Sequence, residues 1–205
     1  MSHYFITGIG TDVGKTIASS ILAEALEADY WKPIQSGATS DSDTLLVKSL
    51  ISNKKTIFHP EAYCFDAALS PHEAAEMENV EINLNGIKLP ETESLIIEGA
   101  GGIMVPLNKK HTFIDLIQGF DTPVILVIKH YLGAINHSLL SIEILKKYNI
   151  KIAGLIFNGT DNYGNEAIIN EKSNIPVIGK IAHEHIINKK VIYHYAQEFK
   201  KNLTP

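Results

Sequence analysis

The residues best suited to chemistry stand near the amino terminus, in the stretch TGIGTDVGKT at positions 7–16. A short apolar run at residues 4–6 precedes this stretch, and the residues after it repeat apolar side chains at helical spacing. Between a strand and a helix, a Gly-Lys-Thr ending is typical of phosphate binding. Loop N–H groups and the helix start surround the phosphates, Lys15 neutralises their charge and the Thr16 hydroxyl binds Mg²⁺. The stretch therefore predicts a nucleotide-binding loop.

This loop departs from the common GxxxxGK[ST] spacing at its first glycine. Ile9 stands where that pattern has glycine, and the glycines fall at Gly8 and Gly10. The sequence thus predicts a variant phosphate loop. The alternative is a chance Gly-Lys-Thr at a helix start, which the flanking strand and helix disfavour.

Three further charged residues stand at strand ends or helix starts, where α/β proteins place ligand-binding side chains. Lys32 ends a short apolar stretch, and Asp43 lies near the start of an expected helix, where a carboxylate is favoured. Glu98 follows the apolar run 94–97 and begins the sequence EGAGG. An acid at such a strand end is typical of the second metal-binding element of phosphate-loop proteins, so we expect Glu98 near Mg²⁺. The alternative is a surface glutamate in a glycine-rich turn.

The chain contains no arginine, so all 18 of its basic residues are lysines. An arginine finger therefore cannot act within this chain or come from an identical subunit. This disfavours nucleotide kinases and the switch NTPases that use arginine to stabilise the transferred phosphoryl group. We expect lysine to take that role here.

Apolar runs and helical patterns alternate along the chain, which predicts an α/β fold. Strands are expected at residues 4–6, 29–33, 94–97, 123–128, 152–157 and 176–181, with an edge strand within 57–65 and a polar loop at 35–42. Helices are expected at 17–26, at 43–51, from residue 70 onward, and at 133–148, 165–172 and 191–203. Asp41 or Ser42 is expected to cap the second helix, and a capping box of Ser70 and Glu73 is expected to start the third. The prediction is one P-loop NTPase-like domain over residues 1–205, with a predominantly parallel, doubly wound sheet flanked by helices.

Composition also indicates a single globular domain. The chain has 205 residues, 45% of them hydrophobic and 20% charged, which suffices for a substantial core. Its formal net charge of -5 gives no electrostatic reason to expect nucleic acid. Neither an apolar run of roughly 18–20 residues nor a secretory signal is visible, so we expect a soluble cytoplasmic protein without membrane contact. The one cysteine, Cys64, is expected to be a buried structural thiol.

Five ordered motifs, which cover most of the chain, resemble those of the dethiobiotin synthetase family. They are the loop at 8–16, KPIQSG at 32–37, SD at 42–43, EGAGG at 98–102 and LGAINH at 132–137. The resemblance implies a ligase of biotin biosynthesis, with Mg²⁺ as cofactor and ATP as co-substrate. In that reaction 7,8-diaminononanoate, CO₂ and ATP give dethiobiotin, ADP and phosphate through a carbamate and a carbamic-phosphoric mixed anhydride.

The same resemblance implies roles for individual residues. Lys15 and Lys32 would be catalytic, and the surroundings of Mg²⁺ would be Thr16, Asp43 and Glu98. The nucleotide would contact Asp12, Val13, Gly14, Lys15, Thr16 and Asn158. The diamine or its carbamate would contact Thr11 and Ser36, and the far carboxylate would bind a helix start formed by Gly133, Ala134, Ile135 and Asn136. In the family this helix start comes from the other subunit of a homodimer, so the active site would lie at the interface.

Two positions depart from the family pattern, and both concern the nucleotide. Asp12 stands where the family often has glutamate, and Gly159 follows Asn158 where a further polar side chain is common. Nucleotide preference is therefore less constrained by the resemblance than the substrate class is.

Two other classes of nucleotide-binding protein remain as alternatives. Regulatory ATPases of the chromosome-partitioning or septum-placing type share the expected fold, but they carry a signature lysine at the loop start, and residues 8–10 contain none. A GTP-binding protein is suggested by NGTD at 158–161, which imitates Asn-Lys-x-Asp without the lysine and also suits an ordinary turn. His183 and His185 have no further metal ligands nearby in sequence and are expected to be solvated.

Overall fold

A seven-stranded parallel sheet organises the chain in a computed structural model that describes residues 2–37 and 42–203. The strands, numbered along the chain, are β1 Ser2–Gly8, β2 Asp29–Trp31, β3 Ile34–Ser36, β4 Phe58–His59, β5 Tyr63–Phe65, β6 Ser94–Gly102, β7 Val124–Lys129, β8 Ile152–Asn158 and β9 Val177–Ile181. The helices are α1 Lys15–Leu26, α2 Asp43–Leu50, α3 Pro71–Met77, α4 Phe113–Phe120, α5 Ala134–Lys147, α6 Asn165–Ser173 and α7 Lys189–Phe199, with a 3₁₀ turn at Leu84–Gly86.

Strand order places β1 in the middle of the large sheet. The order is β4-β2-β6-β1-β7-β8-β9, and every neighbouring pair is parallel. Strands β2, β4 and β6 lie on one side of β1, and β7, β8 and β9 lie on the other, so the sheet is doubly wound. Because all seven strands run the same way, the loops after them share one edge. The predicted fold class is confirmed.

Two apolar layers cover the two faces of this sheet. Ile6 and Ile96 belong to the layer that includes α1 and α7, whereas Phe5 and Ile97 belong to the layer that includes Phe113 of α4. Strands buried on both faces in this way are typical of parallel sheets with helices on each side. Helix α7 packs against α1. Within residues 2–37 and 42–203, no helix combines the length and apolarity needed to cross a membrane.

Strands β3 and β5 form a separate two-stranded sheet, which the sequence did not predict. Residues 34–36 lie partly in the expected polar loop, and the expected edge strand within 57–65 is divided between β4 in the large sheet and β5 in the small one. Strands of two or three residues are too short to show a periodic pattern. Residues 38–41, including the candidate cap Asp41, lie outside the described part of the chain. Ser42 is confirmed as the cap of α2, because its Oγ accepts from the Leu45 N–H at 3.2 Å.

Two local predictions are wrong. Cys64 is exposed and not buried, because successive residues of a strand face opposite ways and the neighbouring Phe65 is the one that packs into the core. The Ser70 hydroxyl makes no capping bond to α3, since its Oγ pairs with His72 Nδ1 at 3.0 Å. A reciprocal cap stands instead at the start of α4, where the Thr112 N–H donates to Asp115 Oδ2 at 2.6 Å.

Candidate active site

The loop between β1 and α1 needs glycine at positions 8 and 14. A Cβ atom on Gly8 would lie 2.4 Å from Val13 Cγ2. Gly14 has φ 97°, and a Cβ there would lie 2.2 Å from Asn158 Nδ2. Around Gly10, by contrast, nothing lies within 4 Å of such a Cβ. The shifted first glycine thus has a physical reason, because the close approach falls at Gly8 and not at Ile9, whose side chain is in the core.

Lys15, the first residue of α1, folds back over this loop. Its Nζ donates to the Gly10 carbonyl at 3.0 Å, and the residue is only 8% exposed. Burial lowers the pKa of Lys15 below its ordinary value, and the neighbouring charge of Lys32 adds to the lowering, although Glu98 and Asp43 oppose it. The loop therefore holds a poorly solvated ammonium group that an anion would stabilise.

Behind the loop, four side chains from four elements converge. Thr16 Oγ1 lies 2.7 Å from Asp43 Oδ1 and 2.9 Å from Glu98 Oε1, and its one hydrogen can be donated to either. Lys32 Nζ lies 2.5 Å from Asp43 Oδ2 and 3.2 Å from Glu98 Oε1. Thr16 and Asp43 lie at the starts of α1 and α2, and Lys32 directly follows β2. Glu98 lies in the middle of β6, because this strand continues to Gly102 and does not end at residue 97 as predicted. Residues up to 82 positions apart in sequence are thus in direct contact.

The pKa values of this cluster shift in the directions expected of ion pairs. Burial lowers the pKa of Lys32, but the charges of Glu98 and Asp43 and their hydrogen bonds outweigh it, so the pKa lies above the ordinary lysine value. Burial raises the pKa of Asp43, yet the charge and hydrogen bond of Lys32 and the hydrogen bond of Thr16 leave it below its ordinary value. Both side chains are therefore charged at neutral pH.

The cluster has the donor chemistry that a small divalent cation requires. Thr16, Asp43 and Glu98 supply one hydroxyl and two carboxylates, all hard oxygen donors, and the hydroxyl lies within hydrogen-bond distance of both carboxylates. Mg²⁺ commonly takes one or two carboxylates and keeps several waters or phosphate oxygens. The residues present therefore fit Mg²⁺.

Two buried polar residues that sequence reasoning missed support the acids. Tyr30 donates its hydroxyl to Glu98 Oε2 at 3.0 Å. Burial and the nearby charges of Glu98 and Asp43 raise the pKa of Tyr30 well above its ordinary value, so the hydroxyl stays a donor. Gln35 accepts from the Asp43 N–H at 3.2 Å, a donor in the first turn of α2 that has no partner within its own helix. Strand alternation was a usable signal for Tyr30, since Tyr30 and Lys32 are two residues apart and face the same way.

A cavity of about 540 Å³ adjoins the other side of the phosphate loop. Its lining includes Asn158 at the end of β8 and Lys129 at the end of β7. Asn158 Nδ2 donates to the Val13 carbonyl at 2.9 Å, and Lys129 Nζ lies 3.3 Å from the Asp12 carbonyl. Both contacts join the loop to neighbouring strands. Lys129 had not been singled out in the sequence, and its place directly after an apolar strand was the available signal.

The residues predicted to contact the diamine are arranged less compactly. Thr11 is exposed at the loop, where its Oγ1 lies near Gly101. Ser36 Oγ is buried without a hydrogen-bond partner among the described residues. Gly133 is the N-cap of α5 with φ 108°, but the Ala134 N–H is already bonded to the Tyr131 carbonyl at 3.0 Å. Within residues 2–37 and 42–203, no hydrogen bond or ion pair joins residues 133–136 to the charged cluster.

Two other features singled out in the sequence have ordinary surroundings. Asp161, the last residue of NGTD, accepts from the backbone N–H groups of Tyr163, Asn165 and Glu166, so it is engaged in starting α6. His183 and His185 are exposed, as expected for solvated residues.

Fold and site together define a P-loop NTPase. The chain is similar to the solved cell division ATPase MinD of Pyrococcus furiosus, with a TM-score of 0.59 and 13% identity over 98% of this chain and 100% of that one. It is also similar to a putative plasmid partition protein of Borrelia burgdorferi bound to AMPPNP, with a TM-score of 0.59 and 15% identity over 98% of each chain. At such identities the likeness concerns the fold alone.

Sequence relatives define the family within this class. A family model described as AAA domain matches residues 2–191. An ATP-dependent dethiobiotin synthetase BioD of Christiangramia forsetii is 51% identical over 98% of this chain and 97% of the relative. A protein of the same name from Cytophaga hutchinsonii is 48% identical over 96% of each chain. The chain belongs to the ATP-dependent dethiobiotin synthetase family, as its ordered motifs predicted, and is thus an ATP-dependent ligase.

Proposed function

We propose that this chain, as a single domain over residues 1–205, closes the ureido ring of dethiobiotin from 7,8-diaminononanoate and CO₂ at the expense of ATP. The observation that carries the proposal is the cluster in which Lys32, Thr16, Asp43 and Glu98 meet directly behind the phosphate loop that holds Lys15. Its charges suit a reaction that develops anionic character at every step.

The residues of the cluster divide into cation-binding and anion-binding groups. Thr16, Asp43 and Glu98 would hold Mg²⁺, which when bound supplies charge neutralisation on the phosphates of ATP. Lys15 would stabilise phosphate charge within the loop, and Lys32 would stabilise the carbamate and the transferred phosphoryl group. Two lysines thereby take the place of the arginine that the chain lacks.

The chemistry requires no protein nucleophile. One substrate amine adds to CO₂ and loses a proton, which gives a carbamate. A carbamate oxygen attacks the γ-phosphorus and ADP leaves, so that a carbamic-phosphoric mixed anhydride forms. The second amine then attacks the carbonyl carbon, phosphate leaves and the ring closes. The protein's part is to hold the reacting groups in place and to stabilise the developing charge with fixed donors.

Nucleotide binding is proposed for the loop and the adjoining cavity. The backbone of Asp12, Val13 and Gly14 would surround the phosphates together with Lys15 and Thr16. Asn158 would contact the base, which is supported by its position in the lining of the 540 Å³ cavity. Asp161 accepts three backbone N–H bonds at the start of α6, so NGTD is accounted for by local structure, and this supports adenine over guanine.

The far carboxylate of the diamine is proposed to bind the helix start at Gly133, Ala134, Ile135 and Asn136 of a second subunit. Thr11 and Ser36 would contact the diamine or its carbamate near the cluster, and the buried Ser36 hydroxyl, unbonded within the described residues, is consistent with such a contact. Exposed apolar side chains around α5 support a homodimer, since Leu132 is 84% and Leu140 57% exposed. The Ala134 N–H can donate to the substrate carboxylate only if its hydrogen bond to the Tyr131 carbonyl breaks.

Product analysis tests the proposal. The protein is mixed with diaminononanoate, bicarbonate and Mg-ATP, and the products are identified by mass spectrometry. We expect a product with the mass of the diamine plus CO₂ minus water, and equal amounts of ADP and phosphate. Reactions without bicarbonate or without the diamine serve as controls. ATP turnover that ignores the diamine and responds to DNA or lipid would instead indicate a regulatory ATPase.

A further inference from the structure

Tyr30 lies in the core directly beneath the charged cluster. It is the central residue of β2, fully buried, and its ring packs against Phe58 with centroids 5.9 Å apart. Phenylalanine would fill nearly the same space, so packing alone does not require the hydroxyl. Among the described residues, the partner of that hydroxyl is Glu98, one acid of the candidate metal site.

The two carboxylate oxygens of Glu98 have different surroundings. Oε2 accepts from the Tyr30 hydroxyl at 3.0 Å. Oε1 lies 2.9 Å from Thr16 Oγ1 and 3.2 Å from Lys32 Nζ, on the side where Asp43 completes the cluster. The terminal torsion of a glutamate side chain is broad and roughly two-fold. The Tyr30 hydroxyl therefore restricts a rotation that the Glu98 side chain would otherwise make easily.

Strand register explains how Tyr30 reaches this carboxylate. In the pairing of β2 with β6, Tyr30 lies opposite Ile96, two residues before Glu98. Residues two apart on a strand face the same side of the sheet, so Glu98 stands beyond Ile96 on the face that Tyr30 shares. The length of the phenol side chain spans this offset along the strand. A phenylalanine would place its ring in the same position but leave Oε2 without the donor.

We infer that Tyr30 is a positioning residue of the metal site, whose hydroxyl fixes the Glu98 carboxylate so that Oε1 faces Thr16 and Asp43. The inference rests on the proposed function, because it takes Glu98 as part of the Mg²⁺ site. Tyr30 acts through Glu98 and contacts neither substrate nor metal. Hydrogen bonds of this outer kind typically change metal affinity about 10- to 100-fold.

Metal binding without catalysis tests the inference. Tyr30→Phe removes the hydroxyl and keeps the ring against Phe58. The protein with ADP is titrated with Mn²⁺ as the probe, and free Mn²⁺ is followed by electron paramagnetic resonance. We expect the Mn²⁺ dissociation constant of Tyr30→Phe to rise about 10-fold or more, with a cooperative thermal unfolding transition retained.

Tyr63→Phe is the matched control for the loss of a hydroxyl. The Tyr63 hydroxyl accepts from the Asn83 N–H at 3.0 Å and has no contact with the cluster. Its removal should leave the Mn²⁺ dissociation constant unchanged. A rise in both variants would mean that loss of any such hydroxyl loosens the protein, and it would overturn the specific role of Tyr30.

A double-mutant cycle with Glu98→Gln separates positioning from general destabilisation. Glu98→Gln alone should weaken Mn²⁺ binding, and Tyr30→Phe should add little in that background, because the charged oxygen that it orients is gone. Equal effects of Tyr30→Phe in both backgrounds would overturn the inference, as would a dissociation constant within about twofold of wild type in Tyr30→Phe.

The Mn²⁺-binding test of Tyr30 and the product analysis of the proposed reaction can fail independently. Mn²⁺ binding needs neither diamine nor CO₂, so failure of the Tyr30 test leaves the product analysis untouched. Absence of dethiobiotin together with a clear Tyr30 effect on Mn²⁺ affinity would reject the proposed substrate and keep the positioning role of Tyr30.

Discussion

Lys15 and Lys32 carry the same charge in opposite electrostatic settings. Among the described residues Lys15 has only a carbonyl partner, and burial lowers its pKa, so it gains most from an arriving phosphate. Lys32 is 3% exposed and already lies between two carboxylates, which raise its pKa. An arriving phosphate should therefore stabilise the charged form of Lys15 most, whereas the charge of Lys32 is already balanced by Asp43 and Glu98.

Lys15→Ala and Lys32→Ala should each lower kcat by about a hundredfold or more, because each removes a fixed cation worth about 3 kcal/mol in the transition state. Lys32→Arg should restore only part of the activity, since the planar guanidinium does not fit the place of a compact ammonium. Steady-state kinetics on folded protein measure both effects. Lys110→Ala, at an exposed lysine far along the chain, serves as the control. Turnover within about threefold of wild type in either alanine variant would contradict the role.

Asp43 should make stability depend on pH in the acid range. A carboxyl group with a lowered pKa in the folded state stabilises the fold above its unfolded value of about 3.9, and the contribution disappears as the pH falls through the folded-state pKa. Without metal, wild type should therefore have a higher free energy of unfolding than Asp43→Asn at pH 7. The difference in free energy of unfolding between the two proteins should decrease steadily below about pH 4. Urea unfolding from pH 7 to pH 3 measures it. A difference in free energy of unfolding that stays constant over this pH range would show that Lys32 does not stabilise the ionised form of Asp43.

Sequence patterns identified the residues of the cluster that carry charge, and missed those that only orient them. Lys32 directly follows β2, Asp43 begins α2 and Glu98 comes directly after an apolar run, and a charged residue in such a position already has chemical meaning in the sequence. Tyr30 and Gln35 are ordinary strand residues by pattern, and their importance depends on which element lies beside them. The β2–β6 pairing brings Tyr30 to Glu98 across more than 60 residues of chain, whereas Gln35 contacts the start of α2.

At the scale of elements, the phosphate loop depends on two glycines that no other residue can replace without movement. Gly8→Ala should lower the free energy of unfolding by about 1–3 kcal/mol, because the new methyl group overlaps Val13. Gly10→Ala is the matched comparison, since nothing lies near its Cβ position, and its effect on stability should stay within about 0.5 kcal/mol. Denaturant unfolding compares the two. Equal losses would contradict the close packing of the loop.

Long apolar strands were predictable, and short strands were not. Strands β6, β7 and β8 have six or more residues and core side chains, so their runs are visible in the sequence. Strands β3 and β5 have three residues each and pair with one another. So short a strand shows no pattern from which to predict that Phe65 faces the core and Cys64 faces solvent. The predicted capping box at Ser70 is wrong for another local reason. The Ser70 hydroxyl pairs with His72 and not with a backbone N–H of the helix.

At the scale of the whole molecule, a site shared between two subunits predicts complementation. Lys15→Ala inactivates the phosphate loop of a subunit. Asn136→Asp places a negative charge on an exposed residue of the helix start, where it should repel the substrate carboxylate. Ala134 is unsuitable for this purpose because it is fully buried. In a mixed dimer both lesions fall in one site and leave the other intact.

Free exchange of subunits makes half of the dimers mixed, and half of the sites in those dimers work. Activity should therefore return to roughly a quarter of wild type. The two inactive variants are unfolded together, refolded and assayed, with each variant refolded alone as the control. Heterodimers that form without activity above either parent would mean that one subunit holds both ends of the substrate.

The central claim is that the carbamate itself takes the phosphoryl group of ATP, and an oxygen label tests it most directly. The reaction is run briefly with ¹⁸O-labelled CO₂ in unlabelled water, and the phosphate released is analysed by mass spectrometry. Attack by the carbamate followed by ring closure breaks the labelled C–O bond, so each phosphate should carry one ¹⁸O and the ureido carbonyl should carry the other. Unlabelled phosphate formed alongside labelled dethiobiotin would contradict the account, because ATP would then have been hydrolysed by water and not used to activate the carbamate.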